Sequence, residues 1–327
     1  MSKPKIALVA GGNSGEYEIS IQGAHVLSGN IDAGLFEVYP IIIRESDWYY
    51  TSAEKERIPV DKNDFSVLTP KGKVNFDLAF ITIHGTPGED GKLQGYFDLL
   101  RIPYTTSGQL ACALTFNKFF CNRMVSSFGL KTAHSIKLIK DVTIDIKDVL
   151  ESVGLPVFVK PNKGGSSLGT SRVDSGDQLL SAIVSAFEHD DEVMIEEMIK
   201  GTEVTTGVFR YNGIITSLPV TEIVSKSDSA FFDYIAKYKG LSEEITPARI
   251  SGAMTLEVQR LARLVYEKLE LRGVVRIDFI ITEEGPYFLE ANITPGMSQA
   301  SIIPQQARAA GYSFQEFLTM IIREALK

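Results

Sequence analysis

RIDFIITEEGPYFLEANITPGMSQAS, residues 276–301, is the stretch from which this chain is best read. The run VVRIDFII is rich in β-branched and aromatic residues and predicts a strand. EEGP predicts a turn and YFLEAN a second strand, so the two form a hairpin. Side chains alternate between the faces of a strand, so Arg276 shares a face with Asp278, and Glu290 with Asn292. A turn centred on Glu284 sets Asp278 opposite Glu290 and Arg276 opposite Asn292. Two carboxylates, an amide and a guanidinium then crowd one patch of sheet. Facing carboxylates repel unless a cation lies between them, and an all-oxygen donor set suits Mg²⁺ held together with phosphates. The alternative is a solvated sheet face whose charges are there by chance.

Outward from the hairpin, the N-terminal third alternates strand and helix. IALVAGG, then NSGEYEIS, then an apolar-periodic run to Val26 predict strand, glycine turn and helix. VYPIII and LAFITIH are further buried strands and GKLQGYFDLL a helix, which together predict a parallel-sheet domain over residues 1–107. GGNSG lacks the G-x-G-x-x-G spacing of a dinucleotide loop. Glu16 and Glu18 open the following helix, where carboxylates complement the helix dipole. His84 begins HGTPGEDG at the C-terminal end of a strand, the edge where open α/β sheets bind ligands; a solvated turn is the alternative.

Residues 109–129 predict one long helix, with Lys118 among apolar neighbours as a snorkelling side chain would be. In VFVKPNKGGSSLGTSRV an apolar strand ends on Lys160 and enters a glycine-serine loop rich in backbone N–H groups, a cradle for an anion, though not a Walker A loop. SGDQLLSAIVSAF predicts a capped helix, and Glu196 and Glu203 flank the break between two further strands. The polar segment 225–245 is too irregular for a core element, and a loop of that length is more often functional than idle. An amphipathic helix, the hairpin and two closing helices complete the chain. These readings divide it into units 1–107, 108–209 and 210–327.

Composition bounds the class. The 327 residues carry a net charge of −8, with 44% hydrophobic and 23% charged residues, ordinary for a soluble protein of two or three domains. That charge argues against nucleic acid or an anionic membrane as the main partner. No apolar run approaches the roughly 20 residues of a membrane span. The start MSKPKIALVAGG flows into a glycine turn and reads as a first strand rather than a signal peptide. Cys112 and Cys121 have no metal-ligand spacing and read as reduced buried thiols of a cytosolic protein.

With GGNSGEYEIS, HGTPGEDG, VKPNKGGSSLG, FFDYIAKY, RIDF and LEANITPGMSQAS occurring in that order, the chain resembles the ATP-grasp enzymes, and within them the D-alanine–D-alanine ligase family, over essentially its whole length. The resemblance implies an α/β fold of three domains, the N-terminal parallel-sheet domain followed by two α+β units that hold ATP between them. Two Mg²⁺ (or Mn²⁺) ions are implied at Asp278, Glu290 and Asn292. Lys118, Lys160 and Lys237 would contact phosphates, Glu196 to Ile199 adenine, and Glu203 the ribose. Glu16 would bind the first D-alanine's ammonium in a set with Ser166 and Tyr238. Arg276 and Gly296 would stabilise the oxyanion, and His84 and Ser301 would contact substrate, Ser301 at the second carboxylate. A cytoplasmic homodimer that ligates two D-alanine molecules for peptidoglycan precursors is implied, with a D-lactate or D-serine ligase, or a catalytically silent nucleotide binder, as alternatives. Three positions depart from the family pattern: Gly164 stands where an acidic residue is usual, Phe232 where a tyrosine is usual, and Tyr17 at a variable place.

Ester-forming members of that family commonly lack the tyrosine kept here as Tyr238. One buried hydrogen bond is worth about 1–3 kcal/mol, or roughly ten- to a hundredfold in selectivity. Tyr238→Phe is expected to raise the D-lactate to D-alanine product ratio. A ratio that matches wild type across about pH 6 to 9 would remove Tyr238 as the discriminator.

Overall fold

The structure, a computed structural model, describes residues 2–327 except 53–54, 166–167 and 226–241. IALVAG lies in β1 (Lys5–Gly11), buried from Ile6 onward, as a strand covered on both faces must be. α1 (Tyr17–Asn30) crosses back, and β2 (Glu37–Arg44) runs parallel to β1. The chain then turns antiparallel through β3 (Asp47–Thr51), β4 (Arg57–Asp61), β5 (Ser66–Thr69) and β6 (Gly72–Val74). β7 (Leu78–Ile81) closes the other side of β1 in parallel, and α2 (Lys92–Leu100) follows. The expected parallel core is thus β2–β1–β7, and an antiparallel extension widens it at one edge. The loops after β1 and β7 emerge side by side. Asn13 N–H bonds Thr86 O at 2.9 Å and Ser14 Oγ donates to His84 O at 2.8 Å.

The single long helix expected over 109–129 is two, α3 (Gln109–Phe116) and α4 (Lys118–Ser127). Asn117 between them is extended, and its side chain accepts the Phe120 N–H at 3.1 Å, an N-cap. Lys118 is therefore the first residue of a helix rather than a snorkelling chain in the middle of one. β8 (Lys131–Thr132) and β9 (Ser135–Ile139) follow, then α5 (Ile146–Val153), β10 (Val157–Pro161), β11 (Ser171–Val173), α6 (Gly176–Phe187) and β12 (Glu192–Glu197). The order β11–β10–β12–β9 is antiparallel throughout, and Val149, Leu179 and Ile183 of the helices pack on Val157, Val159 and Ile195.

The third sheet contains β13 (Thr202–Tyr211), β14 (Ile214–Ser217), β15 (Thr221–Ser225), β16 (Ser242–Ile245), β17 (Val274–Thr282) and β18 (Gly285–Asn292). α7 (Gly252–Lys268), α8 (Ile302–Ala309) and α9 (Phe314–Ala325) pack against it. A boundary after residue 209 would fall inside β13, whose unbroken ladder to β17 belongs wholly to this sheet. β8 pairs with β18, and Cys112, Cys121 and Val125 of α3 and α4 share a core with Tyr266 and Phe279.

The segment that follows the first sheet docks on the start of β17 through one serine hydroxyl and a close backbone approach. Ser107 Oγ donates to Arg272 O and accepts from Arg272 N–H, both at 3.1 Å. Gly273 has φ +64°, and a Cβ there would stand 1.9 Å from Thr105 O. Neither the dihedral nor the space suits an L side chain. Gly273→Ala is expected to cost about 2–3 kcal/mol of stability. Urea denaturation reads this directly, and a loss below about 0.5 kcal/mol would contradict so close an approach.

Candidate active site

The hairpin places its polar residues as expected, by a different route. Arg276 pairs with Asn292, Ile277 with Ala291 and Asp278 with Glu290. The turn, however, has Glu283 and Glu284 at its centre, with Thr282 opposite Gly285. That register, continued, would set Asp278 against Leu289 and send Glu290 and Asn292 to the other face. A β-bulge between Asp278 and Phe279 leaves Leu289 as the extra residue and shifts the register by one. The bulge, which no turn rule reveals, puts both carboxylates on one face.

Arg276 supplies the cation between them. Its Nε lies 2.9 Å from Asp278 Oδ1 and its Nη2 2.7 Å from Oδ2, with Glu290 at 3.7 Å. Burial alone would lower the guanidinium's pKa; Asp278 beside it outweighs this and raises it. Asp278 is buried and also accepts from Thr205 Oγ1 on β13. Among the described residues no three His, Cys, Asp or Glu side chains group as a metal site. Two carboxylates and the Asn292 amide, all oxygen donors, nevertheless fit a hard divalent ion whose shell is completed by phosphate oxygens.

A cavity of about 1060 Å³ opens over this face and is walled by strands of the second and third sheets and by the loops that follow β1 and β7 of the first. Lys160, near the end of β10, ion-pairs with Glu196 on neighbouring β12; Glu196 is buried and Lys160 mostly so, and among the described residues Glu196 Oε2 has no hydrogen-bond partner. Ile199 and Glu203 continue the same wall. Lys118 also faces the cavity and donates to Gly164 O at 2.6 Å. Burial lowers its pKa, as does Lys160, against the pull of Glu290. Asn162, which sequence reasoning passed over, fixes it there. Its carbonyl accepts Lys118 N–H (3.1 Å), its Oδ1 accepts Phe119 N–H (2.9 Å), and its Nδ2 donates to Glu192 (2.7 Å).

Glu16, just before α1, and His84 stand on the cavity wall from the first sheet. A Cβ on Gly165 would lie 3.2 Å from a Glu16 oxygen, so the glycine-serine loop reaches across to the first unit. Gly296 and Ser301 lie against each other beside the cavity; a Cβ on Gly296 would sit 2.9 Å from Ser301 Oγ. They are not on its wall, although Ile302 is. Ser166, Lys237, Tyr238 and the departure at Phe232 lie outside the described residues, as does most of the expected lid 225–242. Glu89 is a further wall residue that sequence reasoning missed, as are Thr205 and Glu244. Burial pushes Glu89 up to about 8, against the Gly85 N–H that it accepts at 2.7 Å. The signal for Glu89 was its place in GEDG; Asn162 and Thr205 gave none.

Comparison with known proteins agrees with this geometry. A model of the D-ala D-ala ligase N-terminus matches residues 5–107, and one of the D-ala D-ala ligase C-terminus matches residues 124–323. The chain belongs to the D-alanine–D-alanine ligase family. It is 47% identical over 328 residues to the D-alanine–D-alanine ligase of Porphyromonas gingivalis, covering 100% of this chain and 99% of that protein. With that of Bacteroides fragilis it shares 45% over 321 residues, 98% of each. Among solved structures, the VanG D-Ala:D-Ser ligase from Enterococcus faecalis superposes with a TM-score of 0.88 at 33% identity, over 99% of this chain and 100% of that one. The D-alanine–D-alanine ligase from Bacillus anthracis complexed with ATP gives 0.78 at 28%, over 99% and 97%. The ATP-grasp architecture of this ligase family is thus the fold of the chain.

The Lys160–Glu196 pair is open to a stability test in this ligase-family member. Lys160→Met strands a buried carboxylate and is expected to cost about 3–5 kcal/mol. Adding Glu196→Leu is expected to recover most of that loss. If denaturation curves show the two changes adding independently, the pair is not coupled as the geometry requires.

Proposed function

We propose that this protein joins two D-alanine molecules into D-alanyl-D-alanine, using ATP, for peptidoglycan precursors in the cytoplasm. The observation that carries this is one cavity that gathers Glu16 from the loop after β1, Lys118 from α4, Lys160 from β10, and Arg276, Asp278 and Glu290 from the hairpin. A catalytically silent nucleotide binder has no need of Arg276 and Glu16 on the same wall as the lysines. The family's members at 45–47% identity are D-alanine ligases, whereas the D-serine ligase stands at 33%, which favours D-alanine as second substrate.

A carboxylate is a poor electrophile, so amide formation requires its activation. The first D-alanine, its ammonium on Glu16 with Ser166 and Tyr238, presents its carboxylate to the γ-phosphate and becomes an acyl phosphate with release of ADP. Anion meets anion in this step, and Lys118, Lys160, Lys237 and Arg276 offset the charge that gathers there. Asp278, Glu290 and Asn292 would hold two Mg²⁺ ions, which when bound neutralise phosphate oxygens. Glu196 to Ile199 would face adenine and Glu203 the ribose. The second D-alanine, its carboxylate near Ser301 with His84 as a further contact, attacks through its amine. Phosphate leaves as the amide forms, while Gly296 N–H and Arg276 face the oxyanion. The glycine-serine loop and the segment 225–242 would close over the acyl phosphate to exclude water.

Three units support this arrangement, the first binding substrate and the central and C-terminal units holding ATP between them. Two buried free cysteines and the absence, among the described residues, of a helix able to cross a membrane are in keeping with a cytoplasmic site. A homodimer rests on the family resemblance. The deciding experiment is phosphate release from ATP with and without D-alanine, with the product identified by mass spectrometry. D-Alanine-dependent release and a dipeptide product are expected. Glu290→Gln removes a charge with little change of volume and should lower turnover by roughly a hundredfold or more. A folded variant with near-wild-type turnover would sink the metal assignment.

A further inference from the structure

Glu244 has no part in the chemistry described above, yet it lines the cavity. It lies on β16 opposite Ile223 of β15, and both residues face the cavity beside Ile302, the first residue of α8. Its Oε2 accepts from Gln305 Nε2 at 2.7 Å, and that same Nε2 donates to Ala300 O at 2.7 Å. Gln305 thereby ties the Glu244 carboxylate to the turn that ends in Ser301, the N-cap of α8. Among the described residues no cation pairs with Glu244, and no other hydrogen bond engages its second oxygen.

Several other wall carboxylates are engaged elsewhere. Glu196 is on Lys160, Asp278 on Arg276, Asp190 beside Lys163 and Asp90 on Lys92. Glu89 is held by Gly85 and is coupled electrostatically to Glu16 and Glu290. Glu244 alone of these is fastened to the element that the reading above gives to the second substrate. Resting on that reading, we infer that Glu244 is a specificity-determining residue that selects a second substrate bearing an α-ammonium over a 2-hydroxy acid. D-Alanine and D-serine bring a carboxylate and an ammonium to this end of the cavity. D-Lactate brings the carboxylate alone, and so adds an unbalanced negative charge beside Glu244. In a partly desolvated cavity such a charge acts beyond hydrogen-bond distance.

The experiment is competition among D-alanine, D-serine and D-lactate with ATP, products counted by mass spectrometry. Wild type serves as the control: absence of D-alanyl-D-alanine there would remove the underlying reading before any variant is compared. Glu244→Gln keeps the acceptor for Gln305 and loses only the charge. The D-lactate to D-alanine product ratio should rise roughly tenfold, while the D-serine to D-alanine ratio stays within about twofold. Glu244→Asp should keep the wild-type ratios. Gln305→Met, which releases the carboxylate without discharging it, should leave the D-lactate ratio near wild type. An unchanged D-lactate ratio in Glu244→Gln, an equal rise in the D-serine ratio, or the full shift reproduced by Gln305→Met would each overturn the inference. The last two would assign the effect to the shape of the turn before α8.

Discussion

Two carboxylates face each other across paired strands at Asp278 and Glu290, and like charges so placed demand a cation. Arg276 provides it from two residues along the same strand, gripping Asp278 side-on through Nε and Nη2. The neighbouring strand, β13, and the helix packed on it keep this group in place. Thr205 reaches Asp278 from β13, and the fully buried Gln306 holds Thr205 O and Thr221 Oγ1 while accepting from Gly207 N–H. A polar cluster of this kind stabilises only when every member is satisfied. α8, which supplies Gln306, is therefore part of the charge site as much as of the core.

The opposite wall solves the reverse problem, that of holding lysines near one another without letting them repel. Lys118 is anchored through its backbone by Asn162, and Lys160 through its side chain by Glu196. Glu192 takes Lys137 and Lys163, each at 3.2 Å, together with the Asn162 amide. Positive charge is thus brought to the cavity by backbone geometry and balanced one layer back. An incoming polyanion meets cations whose directions are already set, which is the condition for electrostatic preorganisation.

Between these walls the first sheet contributes loops rather than strands. Glu16 and His84 follow β1 and β7, the edge where the parallel core ends, and Gly165 passes close enough to Glu16 that a side chain there would be crowded. Docking of Thr105–Ser107 on Arg272 and Gly273 fixes this sheet relative to the hairpin. The distance from Glu16 to Arg276 is accordingly set by backbone packing, not by the side chains that line the cavity.

The sequence alone determined which residue types would meet. Alternation in VVRIDFII and YFLEAN put Asp278 and Glu290 on facing strands, buried runs such as IALVAG marked the parallel core, and Ser175 with Gln178 announced the capped start of α6. These patterns are local: a strand has a period of two and a helix end needs a cap, so neighbouring residues carry the information. Only the tertiary structure decided the rest. The bulge at Leu289, the break at Asn117, the continuity of β13 across residue 209, and the places of Asn162, Thr205 and Glu244 depend on partners distant in the chain. Four antiparallel strands between Asp47 and Val74 were hidden for the same reason, being too short for their own periodicity to outweigh the turns around them. A hydrogen bond across a long sequence separation leaves no period in the sequence, because its cause is the packing that brings the two ends together.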